Sequence, residues 1–200
     1  MPIGPKIVKV PMGLREAWWI PISSEAADAH PTYGTPLQIG GNVKAALSVN
    51  TASGSVYSDD VEQLRFEAWI SAQLDAETSC DDLEIVATLF GHTYSAQNGE
   101  ESKSDDVTPN GAYAFIQDII LKDKSHVYRT TFLYKTSPLA SSEALDAATR
   151  NNNFDPKMMP ISLAVLQDNT GAWRARQEFA TLAAAQAWIN TKAGYVPPTT

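Results

Sequence analysis

From position 64 to 74 apolar and polar residues alternate without a break, Leu64, Phe66, Ala68, Ile70, Ala72 and Leu74 on one face and Arg65, Glu67, Trp69, Ser71 and Gln73 on the other. A period of two predicts a long strand buried on one side. The period then changes. Leu83, Val86, Leu89 and Phe90 recur at helical spacing, Ser79 and Asp82 resemble a capping box, and Gly91 suits the left-handed residue that ends a helix. This predicts an amphipathic helix over residues 80–90.

Alternation returns over residues 113–121 and 127–135, joined through Lys122, Asp123, Lys124 and Ser125, a polar connection short enough for a hairpin. A second hairpin is expected between residues 161–167 and 172–179 across Asp168, Asn169, Thr170 and Gly171. Thr181 is placed to cap a final helix over residues 182–192, which Gly194 ends. Shorter strands are expected over residues 17–22 and 43–49, with a Pro- and Gly-punctuated loop over 30–41 between them. The order of strands, helix, strands, helix lacks βαβ alternation. It predicts one mostly β, α+β domain, an antiparallel sandwich or barrel-like sheet with a flanking helix and a C-terminal helix. Residues 50–62 and 136–160 are expected to be long loops, a length that in a compact domain marks either function or disorder.

Composition narrows the function. The 200 residues are 44% hydrophobic, enough for one substantial core, and carry a net charge of -8. With a pI near 4.8 the chain lacks the clustered excess of Lys and Arg that nucleic-acid binders present. The single cysteine, Cys80, rules out an intramolecular disulfide and any multi-cysteine metal site. The first ten residues lack the apolar run of a signal peptide, and no stretch reaches the length that spans a bilayer as a helix. A protein without a membrane association, folded in the bacterial cytoplasm, is expected.

Chemistry is sparse. His30, His92 and His126 are scattered and form no zinc-binding motif. The pairs Asp59-Asp60, Asp81-Asp82 and Asp105-Asp106 lack the alternating ligand spacing and the glycine of a calcium loop. Asp81-Asp82 suits the start of a helix, where negative charge complements the dipole, and the other two pairs suit solvated loops. Cys80, expected in the first helical turn, reads as a small hydrophobe. No phosphate-cradling loop, no nucleophile elbow and no paired nucleophile and base is present, so neither an enzyme nor a cofactor is expected. Trp18, Trp19 and Trp69 are candidates for a sugar platform, although Trp69, on the polar face of its strand, is expected to lie either at a subunit interface or under a covering loop.

One ordered set of short motifs is familiar. Gly13-Leu14-Arg15 leads into Trp18-Trp19, followed by Tyr33-Gly34-Thr35-Pro36, Leu47-Ser48-Val49-Asn50, Tyr57-Ser58-Asp59-Asp60 and Leu89-Phe90-Gly91-His92-Thr93-Tyr94. In order and spacing, through the strand block at 113–135, the set resembles the major tail protein family of long-tailed siphophages. The resemblance covers most of the chain; residues 169–195 depart from the family pattern.

The resemblance implies a structural virion protein, six copies closing into a ring and rings stacking into a tube through which DNA is ejected. It implies contacts with further copies, with a tape-measure protein, a tail terminator and a distal tail protein, and passage of double-stranded DNA without specific binding. The loops at 50–62 and 136–160 would then reach neighbouring copies. Tyr57, Asp59, Asp60, Trp69, Leu139, Leu145 and Phe154 are the expected contact residues. An acidic lumen would keep phosphates from sticking, since attraction to Lys and Arg is the source of nonspecific DNA affinity. Two other readings are a tube subunit of a contractile device and a carbohydrate-binding or adhesion domain.

Overall fold

The computed structural model describes residues 9–58, 61–79, 82–139 and 158–197. Ten strands and two helices follow one another in the order β1 (Lys9–Ser24), β2 (Thr32–Tyr33), β3 (Leu37–Ser58), β4 (Val61–Thr78), α1 (Leu83–Phe90), β5 (Thr93–Ser95), β6 (Gly99–Glu101), β7 (Gly111–Leu121), β8 (His126–Pro138), β9 (Met159–Leu166), β10 (Arg174–Phe179) and α2 (Leu182–Ala193). The expected class, mostly β with two helices and an antiparallel sheet, is the one found.

Pairing runs β8 to β7, β1, β3, β4 and β9, and β9 returns to β8, so six antiparallel strands close on themselves as a barrel. Closure removes sheet edges wherever it is complete. Inside sit Ala17, Trp19, Ile39, Leu74, Tyr113, Leu133, Leu163 and Val165, with Val86, Leu89 and Phe90 of α1 packed into the same cluster. The interior is crowded enough to dictate sequence: a Cβ on Gly111 would lie 2.5 Å from the Trp19 ring. The Tyr113 hydroxyl, inside the core, donates to Asn42 Oδ1 at 2.9 Å.

A second apolar layer lies on the outer face of β1, β7, β8 and β10. Ile20, Ala114, Ile116, Phe132 and Tyr134 are covered there by Ala185, Ile189 and Ala193 of α2. Spacings of four residues put these three on one helix face. Thr181 caps the helix by accepting from the Ala184 amide, and Gly194 closes it with φ 65°, as its residue types predicted.

Other expectations change. α1 starts at Leu83, with Asp82 as its cap accepting from the Glu84 amide at 2.9 Å, while the Ser79 hydroxyl is committed to Gly41. Cys80 and Asp81 lie outside the described residues. At the other end Gly91 takes φ 80°, and a Cβ there would sit 2.4 Å from the Val107 carbonyl oxygen. The hairpin at 122–125 is present. The one expected between β9 and β10 is not: both strands pair with the same edge of β8, Leu166 opposite Lys135 and Arg174 opposite Leu133, and run in the same direction. They are two halves of one line, interrupted by an excursion over residues 167–173. The expected loop at 50–62 is strand up to Ser58 and again from Val61, and the loop at 30–41 contains β2 and the start of β3. Of residues 136–160, those at 140–157 lie outside the described residues.

Candidate functional site

β3 and β4 pair with each other for almost their whole length, from Asn42 opposite Thr78 to Ser58 opposite Val61. Their outer partners stop far sooner. β1 meets β3 only from Leu37 to Gly41, and β9 meets β4 only from Ala72 to Thr78. The rest of the two strands leaves the barrel as a ribbon whose outer edges have no partner among the described residues. Such edges are open templates for another chain.

The ribbon is also apolar where it is exposed. The register steps at Asn50 opposite Ser71 and Thr51 opposite Trp69, which leaves Ile70 as a bulge and inverts the alternation of β4 below it. Ala72 and Leu74 therefore point into the barrel, as the alternation predicts, but the lower half of the predicted core face turns outward. Leu64, Phe66 and Ile70 are 58%, 54% and 57% exposed. Phe66 lies across Gly54 of the facing strand, so closely that a Cβ on Gly54 would meet its ring at 2.7 Å. This corrects the expectation of one strand buried along one side. A clustered apolar surface on a projecting element marks an interaction site more often than a scattered leucine does.

The bulge brings Trp69 to the barrel side, where it stacks on Trp173 with ring centroids 5.8 Å apart. Trp173 in turn carries the Arg174 guanidinium 4.3 Å above its ring. Of the two expectations for Trp69, the covering loop is the one observed, and the cover is the 167–173 excursion. Asp168 holds that excursion in shape. Its fully buried carboxylate accepts from Thr170 Oγ1 at 2.7 Å, from the Thr170 and Ala172 amides at 2.9 and 3.0 Å, and meets His30 Nδ1 at 2.6 Å. Burial pushes the Asp168 carboxyl up, but these hydrogen bonds outweigh it and hold the carboxyl below its ordinary value. His30 lies flat against Tyr134 at 4.5 Å, and Asn169 donates to the Ala26 carbonyl.

All three histidines thus sit against carboxylates, His30 on Asp168, His92 on Glu100 and His126 on Asp118. Two are also near a hydroxyl, Thr170 and Ser102, which invites comparison with a catalytic triad. A relay needs the acid on one ring nitrogen and the hydroxyl on the other. In both cases acid and hydroxyl address the same nitrogen, Nδ1, so neither is a relay. The third pair belongs to an ion cluster in which Asp118 also binds Arg15 at 2.7 Å. Burial raises the Asp118 carboxyl, and the bonds from His126 and Arg15 bring it below its usual value.

Among the expected contact residues, Trp69 is partly covered by Trp173, and Leu139 is half-buried with its amide bonded to the Ser162 carbonyl at 2.9 Å. Tyr57 lies in β3 near the ribbon tip. Asp59, Asp60, Leu145 and Phe154 lie outside the described residues. The proposed sugar platform is not assembled: Trp19 is in the barrel core, Trp18 packs toward the α2 layer, and Trp69 is stacked. Sequence reasoning missed Leu64 and Phe66 because it assigned them to the core. Their neighbours Ala52 and Gly54, too small to cover an aromatic ring, were the available signal.

No protein-family model and no curated protein matches the sequence. Among the described residues no helix is long and apolar enough to cross a membrane.

Proposed function

We propose that the chain is the major tail protein of a long-tailed phage, a structural subunit whose rings of six stack into the tube that conducts DNA. The observation that carries this reading is the ribbon. A closed barrel has satisfied its own strand edges, yet this one extends two strands beyond closure, no further strand pairs with their outer edges among the described residues, and Leu64, Phe66 and Ile70 are exposed on the ribbon. Left uncovered, such an element is an aggregation hazard. In a ring it is covered, because each ribbon lies against the next copy and the open edges become interfaces.

The motif set at Gly13-Leu14-Arg15, Trp18-Trp19 and residues 89–94 adds the resemblance to the siphophage family. Symmetry allows the ring: a heterologous contact repeated by a rotation that closes joins six copies through one pair of complementary surfaces. The tape-measure, terminator and distal tail proteins are the partners this reading carries with it, together with DNA that passes without being held.

Negative-stain electron microscopy at rising concentration, with size-exclusion chromatography alongside, tests the reading. Rings or hollow tubes are expected. Leu64→Ser combined with Phe66→Ser should leave the barrel folded and shift the chain toward monomer; a double variant that assembles as wild type does would contradict the role given to the ribbon.

A further inference from the structure

Between Leu166 and Arg174 the chain advances eight positions while their shared partner β8 advances two, from Lys135 to Leu133. The excursion is therefore longer than pairing requires, and its residues are committed elsewhere. The Thr170 hydroxyl and the Thr170 and Ala172 amides donate to the buried Asp168 carboxylate, which also meets His30 Nδ1. His30 lies on Tyr134 with ring planes 2° apart, and Asn169 donates to the Ala26 carbonyl at 2.7 Å. The Tyr134 amide donates to the Trp173 carbonyl at 3.2 Å, and the Arg174 guanidinium lies 4.3 Å above the Trp173 ring. Trp173 is thus fixed on both its backbone and its ring.

What Trp173 holds is the root of the ribbon. Pairing of β9 with β4 stops at Ala72, the bulge at Ile70 follows, and Trp69 beyond it stacks on Trp173 with ring planes 22° apart. Trp69 is half-buried there, whereas residues 64–68 are exposed. Its Nε1 is buried without a hydrogen-bond partner among the described residues, so ring packing is what holds the side chain. From Trp69 the ribbon runs on to Val61, about 27 Å at the rise of a strand. A two-stranded ribbon twists more freely than a closed barrel. A swing of about 10° at its root would carry the tip roughly 5 Å, the full spacing between paired strands.

We infer, on the reading of the ribbon as the assembly surface, that the 167–173 excursion is a strut that fixes the direction in which the ribbon leaves the barrel. Trp173 sets the angle through its stack on Trp69, and Asp168 holds the segment that carries Trp173. Both are positioning residues, acting on the neighbouring copy only through the ribbon they aim. Aim matters because apparent affinity falls in proportion to the fraction of molecules in the competent arrangement. A ribbon correctly aimed about one tenth of the time assembles at about tenfold higher concentration.

Spin labels at two exposed positions, Ser53→Cys on the ribbon and Lys122→Cys at the β7–β8 turn, report that direction in a Cys80→Ser background of the full chain. The distance between them is measured by pulsed electron resonance at a dilution where the chain is monomeric. A narrow distribution is expected with Trp173 intact and with Trp173→Phe, which keeps a ring for Trp69. A broad one is expected with Trp173→Leu, which keeps apolar bulk for the core but no ring. Melting curves check folding; Trp69→Leu removes the same stack from the ribbon side and serves where Trp173→Leu does not melt cooperatively. The concentration at which unlabelled chains assemble should rise about tenfold in the Leu variants and return to that of wild type in Trp173→Phe. Distributions equally wide with Trp173 intact and in the Leu variants overturn the strut. Broadening in the Leu variants with assembly unchanged supports the strut and contradicts the part given to the ribbon in assembly.

Discussion

Two glycines show how much a local clash depends on what stands opposite. A methyl group at Gly111 meets the Trp19 ring in the closed barrel interior, where the ring has nowhere to move. Gly111→Ala should cost about 2 kcal/mol, measured by urea unfolding, as overpacked cores do. At Gly54 the same methyl group meets Phe66, whose ring is exposed and free to swing aside. Gly54→Ala should change stability by less than about 0.5 kcal/mol, within the range of ordinary surface substitutions. Asp168 is the opposite case, a fully buried acceptor with four donors. Asp168→Ala strands those donors and should cost about 2 kcal/mol. Its folded pKa lies below the ordinary value of 3.8, as does that of Asp118. Their stabilisation is therefore complete above the ordinary value and lost as pH falls through the lowered one. Melting temperature followed between about pH 5 and pH 2 should fall less steeply in Asp168→Asn than in wild type.

At the scale of elements, what sequence could show and what it could not divide along physical lines. α2 was legible from Thr181 to Gly194 because helix ends are written by local chemistry, a side-chain cap at one end and a left-handed glycine at the other. The β7–β8 hairpin was legible for the same reason: its turn is local. The relation of β9 to β10 was not, because Asp168 to Gly171 form a turn whichever strand comes next, and the choice of β8 as a common partner is made by residues some forty positions away. The ribbon was hidden more deeply. A strict alternation from Leu64 to Leu74 reads as one face, and the single extra residue at Ile70 inverts half of it. The exposure of Leu64 and Phe66 was not legible, because the unbroken alternation placed both on the buried face. The ribbon's independence of the barrel is itself testable. Leu64→Ser with Phe66→Ser should leave the free energy of unfolding within about 0.5 kcal/mol of wild type, since neither side chain is buried in the core. A large loss of stability would show that the ribbon packs on its own barrel instead of awaiting a neighbour.

For the whole molecule, barrel, ribbon and charge combine into one account. Barrel closure and the α2 layer supply a folded unit; the ribbon supplies an edge and an apolar face that have no partner strand among the described residues. A net charge of -8 also suits a conduit, because phosphates are held by clustered cations and repelled by carboxylates. An assembled lumen lined by more Lys and Arg than Asp and Glu would remove that explanation of the acidity. The central claim is assembly, and it is tested most directly by imaging the purified chain by negative-stain electron microscopy as its concentration is raised into the millimolar range. Six-fold rings and hollow tubes of stacked rings are the predicted result; particles that remain single barrels throughout, or that stop at closed dimers, would contradict it.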